Sequence, residues 1–199
     1  FISWELGGAE SPLPKDPYWA TNLGLRYRVN DRLQFSASMN IVQDRGNWGW
    51  SFLSNPNGSP IIARRNVKTN TAIVSSQYNF TSRMNVNIRM RHYWSILNNT
   101  NFYNLKPDGY WDEVAFIPGQ NLNFNTFNVD MFYTWDFLPG SRITLAWKNA
   151  LGSNVTIDPY ANTTYLKNFG QVLNNPHSNE FTAKVVYYLD YLKLRKKRV

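Results

Sequence analysis

The chain contains no cysteine in its 199 residues, which removes a disulfide framework and any thiolate-held metal. It has no run of the ~18 apolar residues that a membrane-spanning helix needs, so a helical membrane protein is excluded. It has two histidines, His92 and His177, and neither has a carboxylate or second histidine at metal-ligand spacing. No Gly-rich phosphate loop is present, and no cofactor is expected. Acidic residues are scarce, 13 against 21 Lys and Arg, for a net charge of +8. Part of that excess is the terminal run Lys193, Arg195, Lys196, Lys197, Arg198, read as a solvated tail over 193–199. No folded basic face or recognisable motif accompanies it, so nucleic acid is not an expected partner. Phe1 is neither an initiator Met nor part of a basic-then-apolar leader, so the expectation is a removed signal peptide or a start partway through a longer protein.

What the chain has is aromatic residues, 8 Trp, 12 Tyr and 12 Phe, in a sequence whose mean hydropathy is −0.47. They fall in period two. Trp19, Thr21, Leu23, Leu25, Tyr27 and Val29 share one face, with Asn22, Gly24, Arg26 and Arg28 on the other. After a tight turn at Asn30-Asp31, Leu33, Phe35, Ala37, Met39 and Ile41 alternate with Gln34, Ser36, Ser38 and Asn40. A helix would scatter those apolar residues round its surface, so these are strands. The pattern returns over 72–80, then at Met84, Val86, Ile88, Met90, His92, Trp94, which places His92 outward. Phe127 to Phe137, Ile143 to Trp147 and Phe181 to Tyr191 follow, and Ile2, Trp4 and Leu6 remain of a first strand. The expectation is an all-β, antiparallel transmembrane barrel with about eight strands in residues 1–192, the C-terminal part of a larger barrel. A soluble aromatic-rich β-sandwich or sugar-binding module is the alternative.

The connections carry the second signal. Those near 30–31, 81–83 and 138–141 are minimal turns, whereas 7–17, 44–61, 97–121 and 151–177 are long, polar and rich in Asn, Gly and Pro. Outer-membrane barrels place short turns on the periplasmic side and long loops outside. The expected location is therefore the outer membrane of a Gram-negative bacterium, C-terminus periplasmic, with outer-membrane lipid as partner. Tyr78 and Phe80, Trp135 and Phe137, and Leu189 and Tyr191 sit at the periplasmic ends, as an interfacial girdle or as ordinary cross-strand pairs.

The segments Asn22-Leu23-Gly24-Leu25-Arg26-Tyr27-Arg28, Ala63-Arg64-Arg65-Asn66-Val67-Lys68-Thr69 and Phe137-Leu138-Pro139-Gly140-Ser141 carry a resemblance. So do Asn179-Glu180-Phe181-Thr182-Ala183-Lys184 and Tyr188-Leu189-Asp190-Tyr191-Leu192. They resemble the C-terminal barrel, a domain of unknown function, of large Bacteroidota outer-membrane proteins whose N-terminus carries a family-9-like carbohydrate-binding module. The resemblance implies closing strands of a larger barrel with a sugar-binding module upstream. It brings no catalytic residues.

The candidate site residues form two sets. Arg26, Arg28, Arg89, Arg91, Arg142, Lys148 and Lys184, together with Arg32, fall on the polar side against Glu5, Asp130, Asp136 and Asp190. The interior of an eight-stranded barrel is filled by side chains, and unpaired charge there costs several kcal/mol each, so this set favours a wider, hydrated lumen. Trp48, Trp50, Phe52, Tyr110 and Trp111 lie in the long connections, where they stack on glycans, anchor another outer-membrane protein, or pack the loops into a lid. The only acid, His and nucleophile set is His177-Ser178 with Asp158, which loop polarity explains more simply. The expected function is a non-enzymatic pore or membrane anchor linked to carbohydrate binding or uptake. The alternative is a barrel subunit of a larger secretion or uptake complex with the loops as docking surface.

Overall fold

A computed structural model of the protein describes residues 1–10, 16–157, 164–189 and 191, with the side chains of 154–157 left out. Nine strands form one antiparallel sheet: β1 (Ile2–Glu10), β2 (Pro17–Arg28), β3 (Leu33–Ser54), β4 (Pro60–Thr81), β5 (Met84–Leu105), β6 (Trp111–Val114), β7 (Asn121–Leu138), β8 (Ser141–Ile157) and β9 (Ser178–Val186). Each strand on the path β1-β2-β3-β4-β5-β7-β8-β9 pairs with its neighbour in that order, and the four-residue β6 pairs with β5 beside it. The sheet is not closed, since β1 and β9 are its two edges. One helix, α1 (Tyr165–Val172), packs on it.

The predicted turns lie where the sequence puts them. Asn30 makes the first by accepting at its side-chain oxygen from the backbone N–H of Arg32 and Leu33, at 2.8 and 2.9 Å. Gly140, with φ +74, closes the β7–β8 turn. The long connections need correction. Most of 44–61 and the first part of 97–121 are strand: β3, β4 and β5 each run 22 residues, and the actual reversals are confined to 55–59 and 106–110. Their alternation is disguised because one-residue bulges between Asp44 and Asn47 and opposite Arg64 and Arg65 shift the pairing and invert which residues share a face, and a further irregularity follows between Trp50 and Ser54. Likewise β1 reaches Glu10 and β8 reaches Ile157, within the stretches read as loops 7–17 and 151–177. At the other end β9 stops at Val186, short of the predicted Tyr191, and 193–199 lie outside the described residues.

The sheet is a single layer for most of its area. Its buried cluster, Ile61, Ala63 and Phe102 with Leu53, Val114 and Ile117 packed against it, sits near the 55–59 reversal, not behind the sheet's centre. The apolar face stands largely uncovered: Leu25 is 48% exposed, Val74 42%, Leu145 46% and Phe181 77%. α1 covers a small part of it. Tyr165 and Phe169 bracket His92 at ring distances of 4.9 and 5.0 Å, and Asn168 accepts from Asn123 and Asn125. His92 is therefore buried and bonded to Asn125 at 2.8 Å, which corrects its reading as an outward, lipid-facing residue. It stays on the apolar face of the sheet, beneath the helix.

Candidate functional site

The register fixes which basic residues share a surface. Arg26 pairs with Ser36, Ser36 with Ser75, Ser75 with Arg89, Arg89 with Asp130, Asp130 with Lys148 and Lys148 with Glu180. These seven residues form one row across the polar face, perpendicular to the strands. Arg28, Arg91, Arg142 and Lys184 alternate with the apolar residues of their strands and belong to the same face. All seven sequence-predicted basic residues thus share it. Glu180 was missed, because the sequence reading began its strand at Phe181; the alternation Glu180, Thr182, Lys184 was the available signal.

Two open clefts lie on this face. One, of about 550 Å³, is lined by Arg26, Gln34, Ser36, Ser75, Gln77, Asn87, Arg89, Asp130 and Phe132. Among the described residues Arg26, Arg89, Asp130 and Lys148 form no ion pair. An amide chain runs along the floor, Gln34 donating to Gln77 at 2.7 Å and Gln77 to Asn79 at 3.2 Å. The second cleft, of about 680 Å³, lies by the short turns and contains Arg83, Asp136, Arg142, Thr144 and Lys184. There Arg142 grips Asp136 with two hydrogen bonds, 2.6 and 3.1 Å; outside that cleft, beside the Asn30 turn, Arg28 is held by Asp31 at 2.8 Å. Those two cations are partnered; Arg26 and Arg89, which line the first cleft, form no ion pair among the described residues. Asp190 and Asp158 lie outside the described residues.

The loop aromatics divide. Trp48 packs with Tyr103 and Trp111 at 5.0 and 4.5 Å, and Arg64, ion-paired to Asp16, lies over its ring at 5.8 Å. Burial first, then the Glu113 carboxylate, raises the pKa of the Tyr103 phenol, with Arg64 opposing. Trp50 and Phe52 instead pair with each other at 5.1 Å and stay 50% and 64% exposed, while Tyr110 is 74% exposed. Phe52 has φ +64, so the backbone is kinked there and does not run on as regular strand. Among the described residues no cluster of His, Asp or Glu is placed to hold a metal, and His177 meets Asn149, not an acid.

The apolar face carries a further pattern. Four indole N–H groups donate to polar neighbours: Trp4 to Thr21, Trp19 to Gln43, Trp94 to Asn123 and Trp147 to Asn179, all at 2.8 to 3.0 Å. Towards the short turns lie the pairs Tyr78–Phe80, Phe80–Tyr133, Trp135–Phe137 and Phe137–Tyr187.

Residues 4–198 match a family described as a domain of unknown function, DUF5916. The chain belongs to that family. No curated protein and no solved structure matches it, so no activity is carried over to DUF5916 from a characterised relative.

Proposed function

We propose that this DUF5916 chain is a non-enzymatic stretch of outer-membrane β-barrel, with lipid against the apolar face and water against the polar one. One observation carries this: the geometry of the uncovered apolar band. On β3 it spans Leu33–Ile41 and on β7 Phe127–Trp135, nine residues each, against the ~9–11 that a tilted strand needs to cross a bilayer. Its top ends at Ile41 on β3, Ala72 on β4, Met90 on β5, Phe127 on β7, Trp147 on β8 and Phe181 on β9. Projected through the register on to β3, the last five fall at Met39, Ala37, Met39, Phe35 and Phe35.

The band therefore slips six residues over five strand steps, roughly 20 Å along the strands against roughly 24 Å of sheet width. A flat belt drawn round strands tilted by about 40° slips at this rate, and membrane barrels tilt by ~35–45°. The indole N–H groups at the upper edge and the ring pairs at the lower edge suit two interfacial girdles. A soluble sandwich would bury the band under a second sheet.

The barrel serves as a pore or as an anchor linked to carbohydrate binding or uptake, and the open edges β1 and β9 leave room for further strands. The second reading, a subunit docked through its outer loops, draws on the exposed Trp50, Phe52, Tyr110 and Trp111; they suit glycans or a protein partner. The test is fractionation. The protein should require detergent, be β-rich and migrate faster unheated than boiled; recovery in a soluble periplasmic fraction would overturn the reading.

A further inference from the structure

We infer that the cleft between Arg26 and Arg89 is a binding site for an acidic sugar, a hydroxylated anion of one or two rings. The inference rests on the polar face being a water-filled interior, and it names the solute which that interior selects. Three features of the cleft point to this ligand.

The first is charge. Arg26 and Arg89 occupy one row with two serine-bearing strands between them, an inter-strand separation of roughly 14 Å. Neither guanidinium has an ion-pair partner among the described residues, although Asp130 stands directly across from Arg89. A guanidinium offers a planar fork of donors that fits a carboxylate or phosphate two bonds at a time. Two Arg against one Asp leave the cleft with positive charge in excess, which suits an anion.

The second is the aromatic. Phe132 is 38% exposed beside the Gln, Ser, Asn, Arg and Asp side chains of the cleft, and among the described residues no ring pairs with it. An apolar plate beside hydrogen-bonding groups matches a pyranose, which has an apolar C–H face and a polar rim.

The third is the hydroxyl complement. Ser36 and Ser75 line the space between the two arginines. Gln34 donates to Gln77 through its amide nitrogen, which leaves its own amide oxygen as an acceptor, and Asn87 likewise donates to Asn85. These acceptors face a ligand that must donate, as sugar hydroxyls do. The volume, about 550 Å³, is within the ~300–1,000 Å³ of small-molecule sites.

The test is calorimetric titration of the purified intact protein with digalacturonate, with lactose as the neutral disaccharide and with inorganic phosphate. Digalacturonate should bind at least about tenfold more tightly than lactose, and Arg26→Gln and Arg89→Gln should each weaken it about tenfold or more. Phe132→Ala should weaken digalacturonate several-fold and leave phosphate unchanged. All three side chains are exposed, and unchanged β circular dichroism will confirm folding. Lactose binding as tightly as digalacturonate, or either Arg variant within twofold of the parent, overturns the site. Equal losses of digalacturonate and phosphate in Phe132→Ala overturn the sugar assignment. Heat-modifiability of the same preparation reports on the barrel separately, so a folded barrel that binds nothing refutes the site alone.

Discussion

Consider Val74→Arg. Val74 lies on β4 within the apolar band, 42% exposed, and its register partners Ala37 and Met90 share that face. The substitution opens no large cavity, because the side chain is already half uncovered. If that face meets water, arginine should shift stability by no more than ~0.5 kcal/mol, as surface changes usually do. If it meets lipid, arginine near the midplane should cost about 2–4 kcal/mol, a loss of roughly thirty- to several-hundred-fold in the folding equilibrium. Ser75→Arg, one residue along, is the control, because its side chain turns to the polar face, where the excess charge is hydrated. Each variant would be refolded into phospholipid vesicles and unfolded with guanidinium, with Trp emission and unheated gel mobility followed together. Val74→Arg should lower the midpoint well below the parent while Ser75→Arg stays near it. Equal midpoints for the two variants would refute the assignment of the faces.

Trp48→Ala should destabilise the β3–β4 and β5–β6 reversals by about 1–3 kcal/mol, because it removes two ring contacts and the plate under Arg64, and faster proteolysis at 55–59 will report it. Trp50→Ala with Phe52→Ala, where the rings are exposed, should leave stability within about 1 kcal/mol and abolish any glycan-array signal of the intact protein. Gly140→Ala should cost about 1–2 kcal/mol, since its φ of +74 disfavours a Cβ that would also meet Tyr188 at 3.0 Å; the denaturation midpoint measures it. If the protein conducts, reversal potentials under a KCl gradient should show anion preference that falls in Arg26→Gln with Arg89→Gln.

The lower half of this sheet was readable and the upper half was not, for a reason tied to particular residues. From Leu33 to Ile41 and from Met84 to Met90 one face must be apolar, so period two is imposed and the register is visible in the sequence. Above Gln43, Asn70 and Asn125 neither face is required to be apolar, and the bulges at Asp44 and Arg64 reverse what alternation survives. Polar composition then looks like loop although the backbone ladder continues. The helix α1 was missed on different grounds: eight residues are too few for a sustained period, and its signals are only the Thr164 cap and the spacing Tyr165, Phe169, Val172. The basic face was legible as a set of residues. Its organisation into a row was not, because which residues stand level depends on turn length at Asn30, Ser82 and Pro139.

The length of the central strands bears on what the protruding part does. A 22-residue strand is roughly 70 Å long, and about ten of its residues suffice to cross a bilayer at the tilt derived above. The remaining part of β3, β4 and β5 then continues outward as hydrogen-bonded sheet, braced by the Ile61, Ala63 and Phe102 cluster and by the stack of Trp48 with Tyr103 and Trp111. Trp50, Phe52 and Tyr110 are consequently presented at or beside the ends of a stiff ribbon. Recognition by such a surface loses less conformational entropy than recognition by mobile loops, so a weak set of contacts suffices for useful affinity. Shortening the hairpin below Trp48 should therefore remove outer binding and leave the membrane band, with its nine-residue height, intact; loss of heat-modifiability in that variant would show that the ribbon is needed for the barrel itself.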